Sequence, residues 1–165
     1  MDAEIEECIR TEYARLVAVV SVTTRSEAQA EDSVQEAFAR AWERSRRGHE
    51  FDHLAGWVVT VALNHSRSGH RRRQSEQRAL ARLHRSTGPP EPDAATSIDL
   101  RVVVRAAVEG LAPRQRDAVL LYYLLDLDVA TTACVLDVSE GTVKTALSRA
   151  RAHLAAALGD QELET

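Results

Sequence analysis

The sequence predicts an all-α chain of two small helical domains joined by a flexible linker, the C-terminal one a helix-turn-helix. Apolar residues recur at spacings of three and four along most of the chain, and no stretch alternates apolar with polar for long. Seven glycines and four prolines are few for 165 residues, so little interrupts a helix. Three of the prolines fall in Ser86-Thr-Gly-Pro-Pro-Glu-Pro-Asp-Ala-Ala-Thr-Ser97, which has no large apolar residue and no periodicity, the composition of a linker. The expected organisation is a domain at 1–85, a linker at 86–97 and a second domain at 98–160.

Ile5, Ile9, Tyr13, Leu16, Val17 and Val20 predict a first amphipathic helix from about Glu4 to Val22. Ser26 with Gln29 three residues on is a capping-box pattern, and Ala30, Val34, Ala37, Phe38, Ala41 and Trp42 then form one stripe, with Gly48 as the stop. A third helix is expected from about His53 to Ser68, capped by Asp52 and burying Leu54, Trp57, Val58, Val61 and Ala62.

Beyond the linker, Leu100, Val103, Val104, Ala107 and Val108 mark another helix, and Pro113 suits the first turn of one running through Leu124. Asp128 can cap a short helix to Leu136, Asp137-Val138 makes a tight turn, and Ser139 can cap a longer helix from Glu140 to Leu158, closed by Gly159. In that last helix Val143, Leu147, Ala150 and Leu154 face inward, leaving Glu140, Thr142, Lys144, Thr145, Ser148, Arg149 and Arg151 outside. Short hydroxyls and long cations at the start of such a helix can reach base edges and phosphates in a major groove; an ordinary capped helix with solvated charges has the same pattern.

The longest apolar run, Ala118 to Leu125, is too short to span a bilayer, and the N-terminus opens with Asp2, Glu4, Glu6 and Glu7 rather than a basic and apolar leader. A cytoplasmic protein without membrane insertion is expected. Cys8 and Cys134 have no Cys or His companions at metal-ligand spacing, which points to buried or idle thiols in a reducing compartment rather than a disulfide or zinc site. His65, His70 and His84 likewise lack carboxylate or cysteine partners. With no glycine-rich phosphate loop, paired-carboxylate motif or nucleophile elbow, no catalytic residue, metal or cofactor is expected, and the chain reads as a non-enzyme.

The net charge of −4 conceals a sharp asymmetry. From Trp57 to Arg85 there are seven arginines, Arg67, Arg71, Arg72, Arg73, Arg78, Arg82 and Arg85, against Glu76 alone, while the flanks on both sides are acidic. Such a block is either a solvated face or the cationic stripe that a nucleic-acid backbone requires.

Two runs carry a family resemblance. Val138-Ser-Glu-Gly-Thr-Val-Lys-Thr-Ala-Leu-Ser-Arg-Ala-Arg151, preceded by Leu111-Ala-Pro-Arg-Gln-Arg116, resembles the C-terminal DNA-binding domain of extracytoplasmic-function (ECF) sigma factors. Ala30-Glu-Asp-Ser-Val-Gln-Glu-Ala-Phe-Ala-Arg-Ala-Trp42, followed by Gly56-Trp-Val-Val-Thr-Val-Ala-Leu-Asn64 and the arginine cluster, resembles the N-terminal domain of the same family. The resemblance covers about residues 10–158, with the motifs in the family's order.

It implies a transcription-initiation factor whose partners are core RNA polymerase, promoter DNA and an anti-sigma factor. Asp32, Gln35 and Glu36 match the surface that grips the polymerase clamp helices. Asn64 matches an asparagine close to a flipped base of the minus-ten element, an amide being able to donate and accept along a base edge; a helix-end asparagine capping its own backbone is the plainer alternative. Arg67, Arg71, Arg72 and Arg73 would hold phosphates there, and Ser139, Glu140, Thr142, Lys144, Thr145, Ser148, Arg149 and Arg151 would read the minus-thirty-five element. Trp57 reads as core rather than as a stacking platform.

The chain departs from the pattern at Thr131-Thr132, where Glu-Ile is usual, at Asp137, where glycine is common, and at Ala146, where a basic residue often stands. These changes bear on the strength and preference of minus-thirty-five binding. The rival readings are a sigma-like interaction module or decoy without productive initiation and a stand-alone helix-turn-helix repressor; the Ala30–Trp42 motif argues against the repressor, and Asn64 with the arginines against the decoy.

Overall fold

The computed structural model describes residues 2–24, 26–83 and 100–159, with side chains described for 3–24, 26–69 and 102–157. The linker at 86–97 and the side chains of Arg71, Arg72, Arg73, Arg78, Arg82 and Arg85 lie outside those residues. Every regular element among the described residues is helical.

Helices α1 (Asp2–Ser21), α2 (Glu27–Arg46) and α3 (Leu54–Leu83) pack on one another as the N-terminal body. Most of the expected stripe residues on α1 and α2 are buried, Ile9, Tyr13 and Trp42 being only half-buried: Ile5, Leu16 and Val20 from α1 meet Val34, Ala37 and Phe38 from α2 and Val58, Val59, Ala62 and Leu63 from α3. The α2 boundaries follow the local chemistry. The Gln29 N–H donates to Ser26 Oγ at 3.3 Å, and Gly48 takes φ 84° just past the end, a left-handed geometry that glycine adopts without a Cβ penalty.

Helix α3 differs from expectation in three ways. It runs to Leu83 instead of stopping near Ser68, because a single glycine at 69 costs a helix only about 1 kcal/mol and the arginine, glutamine, alanine and leucine residues beyond it favour helix. Its start is capped by His53, whose Nδ1 accepts the Gly56 N–H at 3.0 Å, while Asp52 accepts the Cys134 thiol at 3.4 Å. Its buried face includes Val59 and Leu63 while Trp57 and Val61 are only half-buried, since α3 packs on α6 as well as on α1 and α2. Trp57 rests against Phe51 with ring centroids 4.9 Å apart and carries the Arg44 guanidinium 5.9 Å above it, a packing role.

The C-terminal body comprises α4 (Leu100–Glu109), α5 (Pro113–Val119), α6 (Val129–Leu136) and α7 (Glu140–Gly159). Pro113 opens α5, and the helix continues as a wide π-helical turn over Leu120–Leu124. Arg116 ties α4 to α5 by donating to the Val108 and Leu111 carbonyls, both at 3.1 Å, and to that of Glu109. This body has its own core of Leu111, Ala118, Val119, Ala133, Val143, Leu147 and Ala150. Yet Val108, Leu120, Leu121, Leu125 and Leu127 are buried in one continuous cluster with the N-terminal core.

The two bodies therefore meet along an apolar seam bordered by polar contacts. Arg105 donates to the Ser21 carbonyl at 2.8 Å and Arg15 to that of Leu124 at 3.3 Å. Gly56 makes close approach possible: a Cβ there would lie 2.9 Å from Val135 Cγ2 and 3.2 Å from Leu127 Cδ1.

Candidate nucleic-acid interface

Short capped helices set the geometry of the polar face of α7. Asp128 caps α6 by accepting the Thr131 N–H at 2.7 Å, a bond that holds its carboxyl below the usual carboxylate range. The helix ends on Asp137 at φ 53° and ψ 51°, so the residue closing α6 occupies the left-handed region. That conformation explains why glycine suits the position, and aspartate is among the few other residues that tolerate it. Ser139 then caps α7, its Oγ accepting the Thr142 N–H at 3.2 Å.

All seven outward residues predicted on α7, together with Ser139, are exposed, while Val143, Leu147 and Ala150 are buried and Leu154 is half-buried. Helical geometry divides the exposed set between two faces. Ser139, Thr142, Thr145 and Arg149 border a groove with Ala112, Arg114 and Gln115 at the start of α5. Glu140, Lys144, Ser148 and Arg151 lie on the other side, where Lys144 pairs with Glu140 at 3.2 Å and Arg151 borders an apolar hollow with Val22, Val104, Tyr123 and Leu124.

The structure thus adds Arg114 and Gln115 to the first face and sets Arg151 apart from it. Both additions sit in the motif Leu111–Arg116, and only the packing of α5 on α7 shows that they share a groove with Thr142 and Thr145. Ala146 is half-buried and lines the same groove.

In the N-terminal body, Asp32 and Gln35 are exposed and Glu36 is half-buried, one helical face away from the buried Val34 and Phe38. Gln35 donates to the Tyr13 hydroxyl at 3.2 Å, and Glu36 accepts from Arg40 at 2.8 Å. On α3, Asn64 is exposed in mid-helix, so it caps no helix end; its Oδ1 accepts from Arg67 at 3.3 Å.

Arg67 spans the two bodies. Its guanidinium forks onto both carboxylate oxygens of Asp117 on α5, one of the bonds being 3.1 Å, and the two side chains are only 21% and 12% exposed. Arg116 lies beside them, and burial together with the nearby Arg67 charge lowers its affinity for the proton. A cleft of about 440 Å³ runs along this contact, lined by Thr60, Asn64 and Arg67 from α3 and by Asp117, Thr142 and Ala146 from the other body.

Neither thiol is poised to react. Burial, with Glu12 and Glu4 nearby, pushes Cys8 up to about 11, and the bond to Asp52 raises Cys134, which is exposed rather than buried. Among the described residues no helix is long and apolar enough to cross a membrane, and no group of His, Cys, Asp and Glu is arranged to hold a metal.

Comparison with known proteins agrees with this architecture. Sigma-70 region 2 matches residues 8–76 and sigma-70 region 4 matches residues 101–154, one in each helical body. The chain is 30% identical to the RNA polymerase sigma-E factor of Streptomyces antibioticus, over 98% of this chain and 88% of that one. It is 28% identical to the ECF RNA polymerase sigma factor SigM of Mycobacterium tuberculosis, over 93% of this chain and 76% of the relative. Among solved structures, the sigma factor RpoE of Bartonella quintana, in complex with the anti-sigma factor NepR, shares the fold with a TM-score of 0.69 at 24% identity, covering 96% of this chain and 98% of that one. CnrH, in complex with the cytosolic domain of CnrY, gives a TM-score of 0.67 at 21% identity over 97% and 90% of the two chains. The chain accordingly belongs to the ECF group of the sigma-70 family of RNA polymerase sigma factors.

Proposed function

We propose that this sigma factor grips core polymerase through Asp32, Gln35 and Glu36 on α2 and reads promoter DNA through two separate surfaces. In the N-terminal body, Asn64 meets an unstacked base of the minus-ten element while Arg67, Arg71, Arg72 and Arg73 hold the adjoining phosphates. In the C-terminal body, Ser139, Thr142, Thr145 and Arg149 enter the major groove at the minus-thirty-five element, and Glu140, Lys144, Ser148 and Arg151 contribute at its margin. Catalysis belongs to the polymerase, and the factor works in the cytoplasm under the restraint of an anti-sigma partner, as RpoE and CnrH are seen bound to NepR and CnrY.

The observation that carries the reading is the exposed polar face of α7, whose hydroxyls and arginine stand clear of a buried Val143/Leu147/Ala150 stripe. Neither surface needs high intrinsic affinity, because docking on polymerase raises the effective concentration of both at once. A net charge of −4 is compatible with DNA binding on that account.

Run-off transcription from a genomic promoter library with reconstituted holoenzyme tests it. The wild-type chain should give discrete start sites, and replacing Asp32, Gln35 and Glu36 together with alanine should weaken capture of core polymerase by at least tenfold. Undiminished capture by the triple variant would sink the assignment of the α2 surface.

A further inference from the structure

We propose that Tyr13 is a positioning residue for the polymerase-binding face: its hydroxyl, reaching across from α1, holds the Gln35 amide in the orientation in which it meets the partner. The inference rests on the reading of Gln35 as a contact to core polymerase, and adds to it a residue on a different helix.

Tyr13 stands in the apolar stripe of α1 between Ile9 and Leu16, a place that calls only for its ring. The ring meets that need by stacking on Phe38 of α2, with centroids 6.4 Å apart and planes inclined by 25°. The hydroxyl has no part in this packing. It meets the exposed Gln35 instead, accepting a hydrogen bond from Nε2 at 3.2 Å. A phenylalanine would fill the stripe equally well and could make no such bond.

The residues of the face are held unequally. Glu36 accepts from Arg40 one turn along the same helix, an exposed pair of the kind that fixes geometry weakly. Gln35 is held from a second helix, and the tyrosine that holds it is fixed in turn by its half-buried ring on Phe38, itself only 4% exposed. A free glutamine samples many rotamers and loses them on docking. One tethered to a rigid ring has given up much of that freedom before polymerase arrives. The hydroxyl thus strengthens docking without touching the partner, by lowering the ordering cost of the side chain beside it.

The test is a double-mutant cycle on the full-length chain, read as the Kd for purified core polymerase at fixed salt. Tyr13→Phe removes the hydroxyl and keeps the ring that stacks on Phe38. It should weaken binding about three- to tenfold, the cost of immobilising one long side chain. Gln35→Ala should weaken binding at least as much. Once Gln35 is alanine, adding Tyr13→Phe should cost nothing further.

A tyrosine that only supports the fold, or one that touches polymerase itself, would cost the same factor with or without Gln35. Equal factors in the two backgrounds therefore overturn the positioning role. Full binding by Tyr13→Phe beside weakened binding by Gln35→Ala overturns it as well, and leaves Gln35 a polymerase contact. Undiminished binding by Gln35→Ala overturns the reading of Gln35, and the role of Tyr13 with it.

Discussion

The N-terminal body buries Ile5, Leu16, Val20, Val34, Val58 and Leu63 among three helices of 20 residues or more, whereas the C-terminal body centres on Ala118, Ala133, Ala150 and a few larger residues. Its helices before α7 have ten, seven and eight residues, and lengths of that order are marginal unless packing holds them. The shortfall is met by contact, since Leu120, Leu121, Leu125 and Leu127 lie in the neighbouring core. A reading module can thus be small when part of its hydrophobic core is lent by the module beside it.

The comparison is tested hardest at Leu121, which is fully buried although its own body supplies little of the surrounding core. Leu121→Ala should cost about 3 kcal/mol, as much as Leu63→Ala within the N-terminal body. In urea, both variants should shift a single transition. A separate early transition for the C-terminal body would show that it stands alone.

A smaller effect of opposite sign is expected at Thr132, fully buried on α6 with its hydroxyl unpartnered. Thr132→Val removes an orphaned polar atom at nearly constant shape and should stabilise the chain by about 1 kcal/mol in the same titration. With that outcome, the departure from isoleucine noted in the sequence is a stability defect of the C-terminal body; an unchanged midpoint would refute it.

The smallest expected change concerns DNA. Ala146→Arg adds a cation to the groove shared with Arg114 and Arg149 and should tighten binding to any duplex. The salt dependence, as log K against log salt, should steepen by about 1. A slope that does not move would mean that this groove stays clear of phosphates.

Much of this was legible in the residues. Ser26, Gly48, Pro113, Asp128 and Ser139 fix helix ends by local hydrogen bonding and backbone geometry, and each stands at or beside the boundary it predicts. The exposed face of α7 followed from period alone. The far end of α3 did not, because Gly69 resembles a stop while the residues beyond it favour continuation.

The seam was illegible for a different reason. Periodicity tells that Leu120 and Leu121 turn away from water and is silent on which core receives them. Nor does any local signal join Arg67 to Asp117, fifty residues apart, or align Arg114 and Gln115 with Thr142. Those are products of packing, which one-dimensional patterns do not contain.

The wide turn at Leu120–Leu124 has a mechanical consequence. Its closing bond runs from the Leu125 N–H to the Leu120 carbonyl at 3.0 Å, and Asp126 beyond it takes φ 58°. Val119 is anchored in one body and Leu120, its immediate neighbour, in the other. Any movement of one half against the other would therefore load this short stretch of backbone, where a widened turn takes the place of the regular α-helical ladder.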